Sequence, residues 1–250
     1  MKIAVCIKRV PDTEMRFTIA PDGKSIDTAG LKYGISTFDE YAVEAALRLN
    51  EAHGPGEITV VGLGTAELGE QLRRALSMGV DQAIHLTADQ VPVDGLAVAK
   101  ALAAALGDGG YDLILFGRNA TDTGNGTVGP MVAHLLGLPC VTSISHLEIA
   151  DGNGVAHREI EGATETVKFP LPAVLTIDEG LGRPRNPSMK GIMAAKKKPL
   201  EERPAELGPV NLTLESLSPP SQRPAGRIVG EGASAVPELV RLLREEAKVL

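Results

Sequence analysis

The densest chemistry in this 250-residue sequence lies in one stretch, Gly117-Arg118-Asn119-Ala120-Thr121-Asp122-Thr123-Gly124-Asn125-Gly126-Thr127-Val128-Gly129. Glycines with Thr and Asn stand ahead of a helical run carrying Val132, Leu135 and Leu136. They offer backbone amides and a helix dipole to an anion, the arrangement that holds phosphate. Gly124 to Gly129 also spells G-x-G-x-x-G, yet seven residues separate Gly124 from Phe116, the end of the preceding strand. A dinucleotide fingerprint needs its first glycine at the strand end and its unit at the first strand of the sheet, so an NAD site fits poorly. The phosphate loop of a different adenine-nucleotide fold fits better; a flexible glycine turn is the plain alternative. A second loop, Gly62-Leu63-Gly64-Thr65, could bring backbone close to the same ligand.

Covalent chemistry has few candidates. The five histidines, His53, His85, His134, His146 and His157, show no ligand spacing and flank no nucleophile motif. Walker lysine and Ser-x-x-Lys patterns are lacking. Asp178 and Glu179 follow a strand end and could form an acid/base pair, although solvated loop acids are commoner. Cys6 and Cys140 form no Cys-x-x-Cys and read as reduced, buried thiols. The chain therefore reads as able to hold a nucleotide and unable, alone, to do covalent chemistry on it.

Charge adds a second feature. With 25 basic and 32 acidic residues the net charge is −7, the wrong sign for a protein that binds phosphate backbones. Four Phe, three Tyr and no Trp also disfavour base-stacking platforms. Yet between Gly180 and Lys198 lie Arg183, Arg185, Lys190, Lys196, Lys197 and Lys198 and no acid, a local +6 that leaves −13 elsewhere. The same strip carries Leu181, Met189, Ile192 and Met193, which a solvated loop would not need. Basic rim charges raise association rates and select acidic partners, and an apolar anchor such as Met189 supplies grip.

Positioning these groups requires a sheet. Lys2 to Lys8 reads as a buried strand, followed by a hairpin-like excursion through Pro21-Asp22-Gly23-Lys24. Thr37-Phe38-Asp39-Glu40 reads as a capping box, with Phe38, Tyr41, Ala42, Ala45 and Leu49 at helical spacing behind it. Strand and helix then alternate: Glu57 to Leu63, a helix capped by Thr65, Ala83 to Leu86, a helix from Gly95 to Leu106 capped by Asp94, and Asp112 to Phe116. That alternation predicts right-handed crossovers and a parallel sheet covered on both faces. From Cys140 on, Val141 to Ile149, Ala156 to Ile160, Thr164 to Phe169 and Pro172 to Ile177 predict antiparallel ribbon at the sheet edge. After Gly180 no periodicity shows until Val236, Leu239, Val240 and Leu243 mark a C-terminal helix, so this segment is expected to lie along another chain. No apolar run reaches membrane-spanning length and no secretory cleavage region is visible, which predicts a cytoplasmic chain with no membrane insertion.

Ala156-His157-Arg158-Glu159-Ile160-Glu161-Gly162-Ala163-Thr164-Glu165-Thr166-Val167, continuing to Pro172-Ala173-Val174-Leu175-Thr176, resembles the signature of the electron transfer flavoprotein β subunit; Ala163 alone departs from it. The resemblance extends to Val5 to Val10, Arg74 to Asp81, Met193 to Lys198 and Gln222 to Gly226. It implies a heterodimer with an α subunit that holds most of a redox-active FAD, and a structural AMP in the β subunit. Electrons would pass from acyl-CoA and other flavin dehydrogenases, as in fatty acid β-oxidation, to a quinone oxidoreductase.

Carried onto matching positions, the resemblance places the adenine nucleotide against Cys6, Ser36, Thr37, Phe38, Asp39, Leu63, Asp122, Thr123, Gly124, Asn125, Gly126, Thr127 and Val128. It places partner recognition on Pro184 to Lys196, with Met189, Ile192, Met193 and Lys196 as contacts, and wraps the rest of the tail on the α subunit. The expected fold is α/β, a mostly parallel doubly wound sheet of the adenine-nucleotide-binding (HUP-like) type with added antiparallel strands and an extended C-terminal arm. Its expected parts are a nucleotide-binding domain over 1–180, a recognition strip over 181–198 and an arm over 199–250. Thr13 stands where many members have an aromatic residue near the flavin, and the Thr121 to Gly129 loop lacks the Ala-Gln pair of members that bind a second FAD and bifurcate electrons. AMP is favoured, while Val10-Pro11-Asp12-Thr13 resembles the bifurcating group. An enzyme using ATP or NAD, and a binding-only stress-type adenine protein, are the other readings.

Overall fold

The computed structural model describes residues 1–221 and 225–250. Part of the tail motif, Gln222 to Pro224, lies outside the described residues. In chain order the elements are β1 (Lys2–Ile7), β2 (Arg9–Pro11), β3 (Tyr33–Ile35), α1 (Thr37–His53), β4 (Glu57–Gly64), α2 (Leu68–Met78), β5 (Gln82–Thr87), α3 (Gly95–Gly107) and β6 (Leu113–Gly117). There follow α4 (Val128–Leu136), β7 (Cys140–Ala150), β8 (Asn153–Ile160), β9 (Ala163–Pro170), β10 (Ala173–Ile177), α5 (Met189–Ala195), β11 (Leu200–Pro204) and α6 (Val236–Glu245).

Nine strands form one sheet in the order β11-β5-β4-β1-β6-β10-β7-β8-β9, while β2 and β3 pair as a small antiparallel ladder. Pairing is parallel from β11 to β7 and antiparallel across β7-β8-β9. Alternate residues of β1 show the double winding. Ile3, Val5 and Ile7 face a core closed by α1 and α2, whereas Ala4 and Cys6 face a second core closed by α3 and α4. Strands buried on both faces cannot alternate apolar with polar residues, which is why β1, β4 and β6 read as continuous apolar runs. The α/β class with a large, mostly parallel sheet is as the sequence predicted. Among the described residues no helix is long and apolar enough to cross a membrane.

Three local expectations are corrected. Residues 172–177 do not extend the antiparallel ribbon: β10 inserts parallel between β6 and β7, and all five of its residues are buried, as an interior parallel strand requires. The ribbon is β7-β8-β9 alone, and β7 serves both pairings by bending at Ser143, whose φ of 55° breaks the ladder while its amide donates to Thr176 Oγ1 at 2.8 Å. The segment after Gly180 is not uniformly unpatterned either. It contains α5, and residues 200–204, expected in the arm, form edge strand β11 on β5. An exposed edge strand has no buried face to impose alternation, so composition carries no signal for it.

Helix caps differ too. Asp94 caps α3 as expected, accepting from the Leu96 amide at 2.9 Å. Thr37 does not cap α1: it is the first helical residue, Ser36 holds the N-cap position without a side-chain cap bond, and Glu40 pairs outward with Arg74. Thr65 does not cap α2, which starts at Leu68; its hydroxyl donates to the Glu67 carboxylate instead.

Candidate functional site

Chain order runs outward from β1 in both directions, through β4 and β5 on one side and β6 on the other. The carboxyl ends of β1 and β6 therefore flank a topological switch point, where open α/β sheets bind ligands. Both ends are joined by Asp39. Its carboxylate accepts from the Lys8 amide at 2.8 Å and from the Gly117 amide at 3.0 Å, so one side chain from the first turn of α1 bridges the two strands as they leave the sheet. Ser36 ties the same turn in: its amide donates to Lys8 O at 3.0 Å, and its hydroxyl accepts from the Thr121 amide at 3.3 Å.

Burial fixes the chemistry of this base. Asp39 lies out of water, and burial pushes its carboxyl up to about 7 against the downward pull of the Lys8 and Gly117 amides. Burial, then the Asp39 carboxylate, pushes the Cys6 thiol far up, so Cys6 is a packing residue and no thiolate nucleophile. Above the base, the Lys8 ammonium reaches across to the Asp122 carboxylate at 2.7 Å and spans the crevice from the β1 end to the loop after β6.

The predicted nucleotide residues fall into two groups. Cys6, Ser36, Asp39 and Leu63 are buried at the strand ends, with Phe38 half-buried beside them. Asp122, Thr123, Gly124, Asn125, Gly126 and Thr127 form an exposed loop that leads into Val128 and α4; Thr37 is exposed on the opposite side of the helix turn. Gly124 and Gly126 have φ of 67° and 62°, the left-handed region, and they turn the loop over the crevice. Thr127 makes no side-chain cap; Pro130 has no N–H and the Met131 amide donates to Thr127 O, so the Val128 and Gly129 amides are the donors α4 can offer an anion. An open pocket of about 480 Å³ adjoins the far side of this loop, lined by Arg118, Asn119, Gly126, Pro130, Thr142, Ser143 and Thr176. Of the predicted residues only Gly126 lines it.

The Gly62-Leu63-Gly64 reading changes. A Cβ at Gly62 would stand 2.8 Å from Leu68 Cδ2, so this glycine is needed to admit the first turn of α2 against the sheet. The acid/base reading of Asp178 and Glu179 also gives way. Asp178 is held by Arg118 at 2.8 Å, and that guanidinium lies 4.4 Å over the Phe38 ring. Among the described residues no cluster of His, Cys, Asp and Glu could hold a metal. Cys140 is exposed, not buried as expected. Sequence reasoning missed Lys8 and Arg118 as side chains. Their signal was present as the last residue of each strand-end dipeptide, where side chains turn from the sheet toward the crevice.

The predicted recognition residues sit apart from the crevice. Pro184 is half-buried; Met189, Ile192 and Met193, at i, i+3 and i+4 of α5, are 75%, 43% and 69% exposed, and Lys196 is exposed at the helix end. Of the six strip cations, two are committed within the chain. Arg185 pairs with Glu44 and Glu51, and Lys198 donates to backbone carbonyls.

Against known proteins, residues 24–207 match the family model described as the electron transfer flavoprotein domain. Curated relatives named electron transfer flavoprotein subunit beta include one from Bacillus subtilis (strain 168), 42% identical with 100% of each chain covered. One from Bradyrhizobium diazoefficiens is 38% identical over 100% of each chain. One from Homo sapiens is 34% identical over 100% of this chain and 99% of its own length.

Proposed function

This chain belongs to the electron transfer flavoprotein family as a β subunit, and on that footing we propose that it carries electrons between flavoproteins within a heterodimer, the α subunit holding most of an FAD. In this reading the β chain binds a structural AMP at the switch point and presents α5 to acyl-CoA and other flavin dehydrogenases. A quinone oxidoreductase takes the electrons onward, and the complex works in the cytoplasm.

The observation that carries the nucleotide assignment is the pairing of a sealed, buried base with an exposed loop whose helix amides are free. Asp39 satisfies the amides that leave β1 and β6, and the α4 amides above remain as donors for a phosphate. A helix N-terminus of this kind accepts a phosphate through its backbone amides and dipole. Asn125, Gly126, Thr127 and Val128 would hold the phosphate, and Leu63 and Phe38 would flank the base. FAD supplies the electron-accepting and electron-donating chemistry when bound; this chain's part is to exclude water and to hold the Phe38–Arg118 stack against the partner subunit. No residue of the chain is assigned a covalent step.

The test is to release small molecules from the α–β complex and identify them by mass spectrometry. One FAD and one AMP per heterodimer is the expected result. Two FAD would replace the AMP reading with the bifurcating one that Val10-Pro11-Asp12-Thr13 resembles. NAD or ATP without flavin would refute the carrier reading in favour of an enzyme.

A further inference from the structure

α5 is only seven residues long, and its one buried side chain is Ala195. Helices this short do not persist on their own, and a single alanine offers little apolar area to hold one down. Polar contacts hold it instead. Neither α2 nor α5 has a basic residue in its own last turn. Each receives a cation from the other's neighbourhood. Arg73, inside α2, donates through Nη1 to Ala195 O and to Lys198 O, both at 2.7 Å, where α5 ends. Lys198, just past α5, donates through Nζ to Leu76 O at 3.1 Å and Val80 O at 2.6 Å, where α2 ends. Cations at helix C-termini satisfy orphan carbonyls and oppose the dipole, so the two helices cap each other.

Two further contacts fix the geometry. A Cβ at Gly191 would collide with Ser77 O, so the backbone of α5 lies directly on the end of α2. Upstream, Arg185 pairs with Glu44 at 2.8 Å and Glu51 at 2.6 Å, securing the approach to α5 against α1. Met189, Ile192 and Met193 are left pointing outward from a backbone clamped on both sides, rimmed by Lys190, Lys196 and Lys197, which form no ion pair among the described residues.

We propose that Arg73 and Lys198 are positioning residues for partner docking: their reciprocal capping of α2 and α5 holds the apolar triad in its docking geometry before a partner arrives. Preorganisation of this kind lowers the ordering cost of association and adds no contact to the partner. The proposal rests on the reading that α5 docks on dehydrogenases. It also divides the basic strip: Arg73's counterpart Lys198 and the tethering Arg185 act inward, and only Arg183, Lys190, Lys196 and Lys197 meet a partner's acids.

The experiment uses the purified α–β heterodimer with a reduced acyl-CoA dehydrogenase as electron donor, and variants Arg73→Ala, Lys198→Met, Met189→Ala and Arg73→Ala/Met189→Ala. Arg73→Ala and Lys198→Met are each expected to raise the KM for the dehydrogenase about tenfold with kcat within about twofold, the mark of lost docking and intact electron transfer. Amide exchange over residues 190–197 is expected to quicken in both and not in Met189→Ala. The double variant should lose less than the two single effects combined, because part of what the caps hold in place is the Met189 side chain itself. Unchanged KM and exchange in both single variants, with Met189→Ala slowed, would overturn the positioning role and leave the docking reading standing. Independent, additive losses in the double variant would also overturn it. If Met189→Ala docks normally the docking reading itself fails. The exchange measurement needs no partner, so it still decides whether the two caps hold α5, and Lys198→Met covers the case in which Arg73→Ala does not fold.

Discussion

The isolated chain is expected to lose roughly 2–3 kcal/mol of stability between pH 5 and pH 8, and Asp39→Asn is expected to remove most of that slope. The sign follows from Asp39's raised carboxyl, about 7 in the fold against an ordinary value of 3.8. Between those values the folded chain holds a proton that the unfolded chain has released. Stability from this group is therefore complete below the unfolded value and is lost as pH rises through 7. Other shifted acids do not mask it. Asp94 is held low mainly by the Asn211 amide. Glu44, although burial works to raise it, is brought low by Arg185 and Arg48. Contributions from such lowered acids are already complete above pH 5.

Side-chain replacements separate charge from hydrogen bonding at the same site. Asp39→Asn keeps one acceptor for the Lys8 or Gly117 amide, and Asp39→Ala keeps none. At pH 5 the order of stability should be parent, Asn, Ala, with each orphaned buried amide costing about 1–3 kcal/mol. At pH 8 the parent carries a buried carboxylate and the gap to Asn narrows. Urea midpoints at the two pH values measure this. An Asn variant whose midpoint falls with pH as steeply as the parent's would show that another group sets the slope.

Asp39 also shows what a sequence can and cannot reveal. Its place after a strand, in the first turn of a helix, was legible as a helix start, and the capping box was the economical reading of Thr37-Phe38-Asp39-Glu40. What overrode it was tertiary: two strand ends separated by about a hundred residues bring their free amides to one point, and a carboxylate there satisfies both. No local window contains that information. The same holds for β10. Its apolar run is legible, but its place between β6 and β7 is decided by which edge of the sheet remains open, and β7 must bend at Ser143 to accept it. Periodicity served well for β1, β4, β5, β6 and α3, where burial on two faces or one stripe is imposed by the sheet itself. It failed for α5 and β11, which are held by backbone and charge and bury almost nothing. The site divided along the same line: glycine loops at strand ends were visible as residue types, whereas the Lys8–Asp122 span and the inward use of Arg185 and Lys198 depend on distance through space.

Removal of residues 225–250 is expected to leave the folded chain as stable as the parent and to weaken association with the α subunit at least a hundredfold. Nothing described in that segment belongs to the core: α6 has no buried residue, and among the described residues the last buried side chain in sequence is Ala195. Yet α6 is built to be covered. Val236, Leu239, Val240 and Leu243 fall at i, i+3, i+4 and i+7, while Glu238, Arg241 and Glu245 occupy the other side and pair with one another at 2.7 and 2.6 Å. Ten residues are too few for a stable helix in water, so this stripe needs a partner surface to hold its form. Full burial of an aliphatic side chain contributes about 1.5–3 kcal/mol, and four side chains at half that value give about 3–6 kcal/mol. The lower end is already a factor above one hundred in Kd. Calorimetric titration of the α subunit with parent and truncated chains measures the affinity, and urea melting of each chain alone measures the fold. Leu239→Asp/Leu243→Asp should reproduce the loss of affinity with the arm still present. Equal affinity after truncation would remove the α subunit as the surface that covers α6. A lowered urea midpoint with unchanged affinity would return the helix to the chain's own fold.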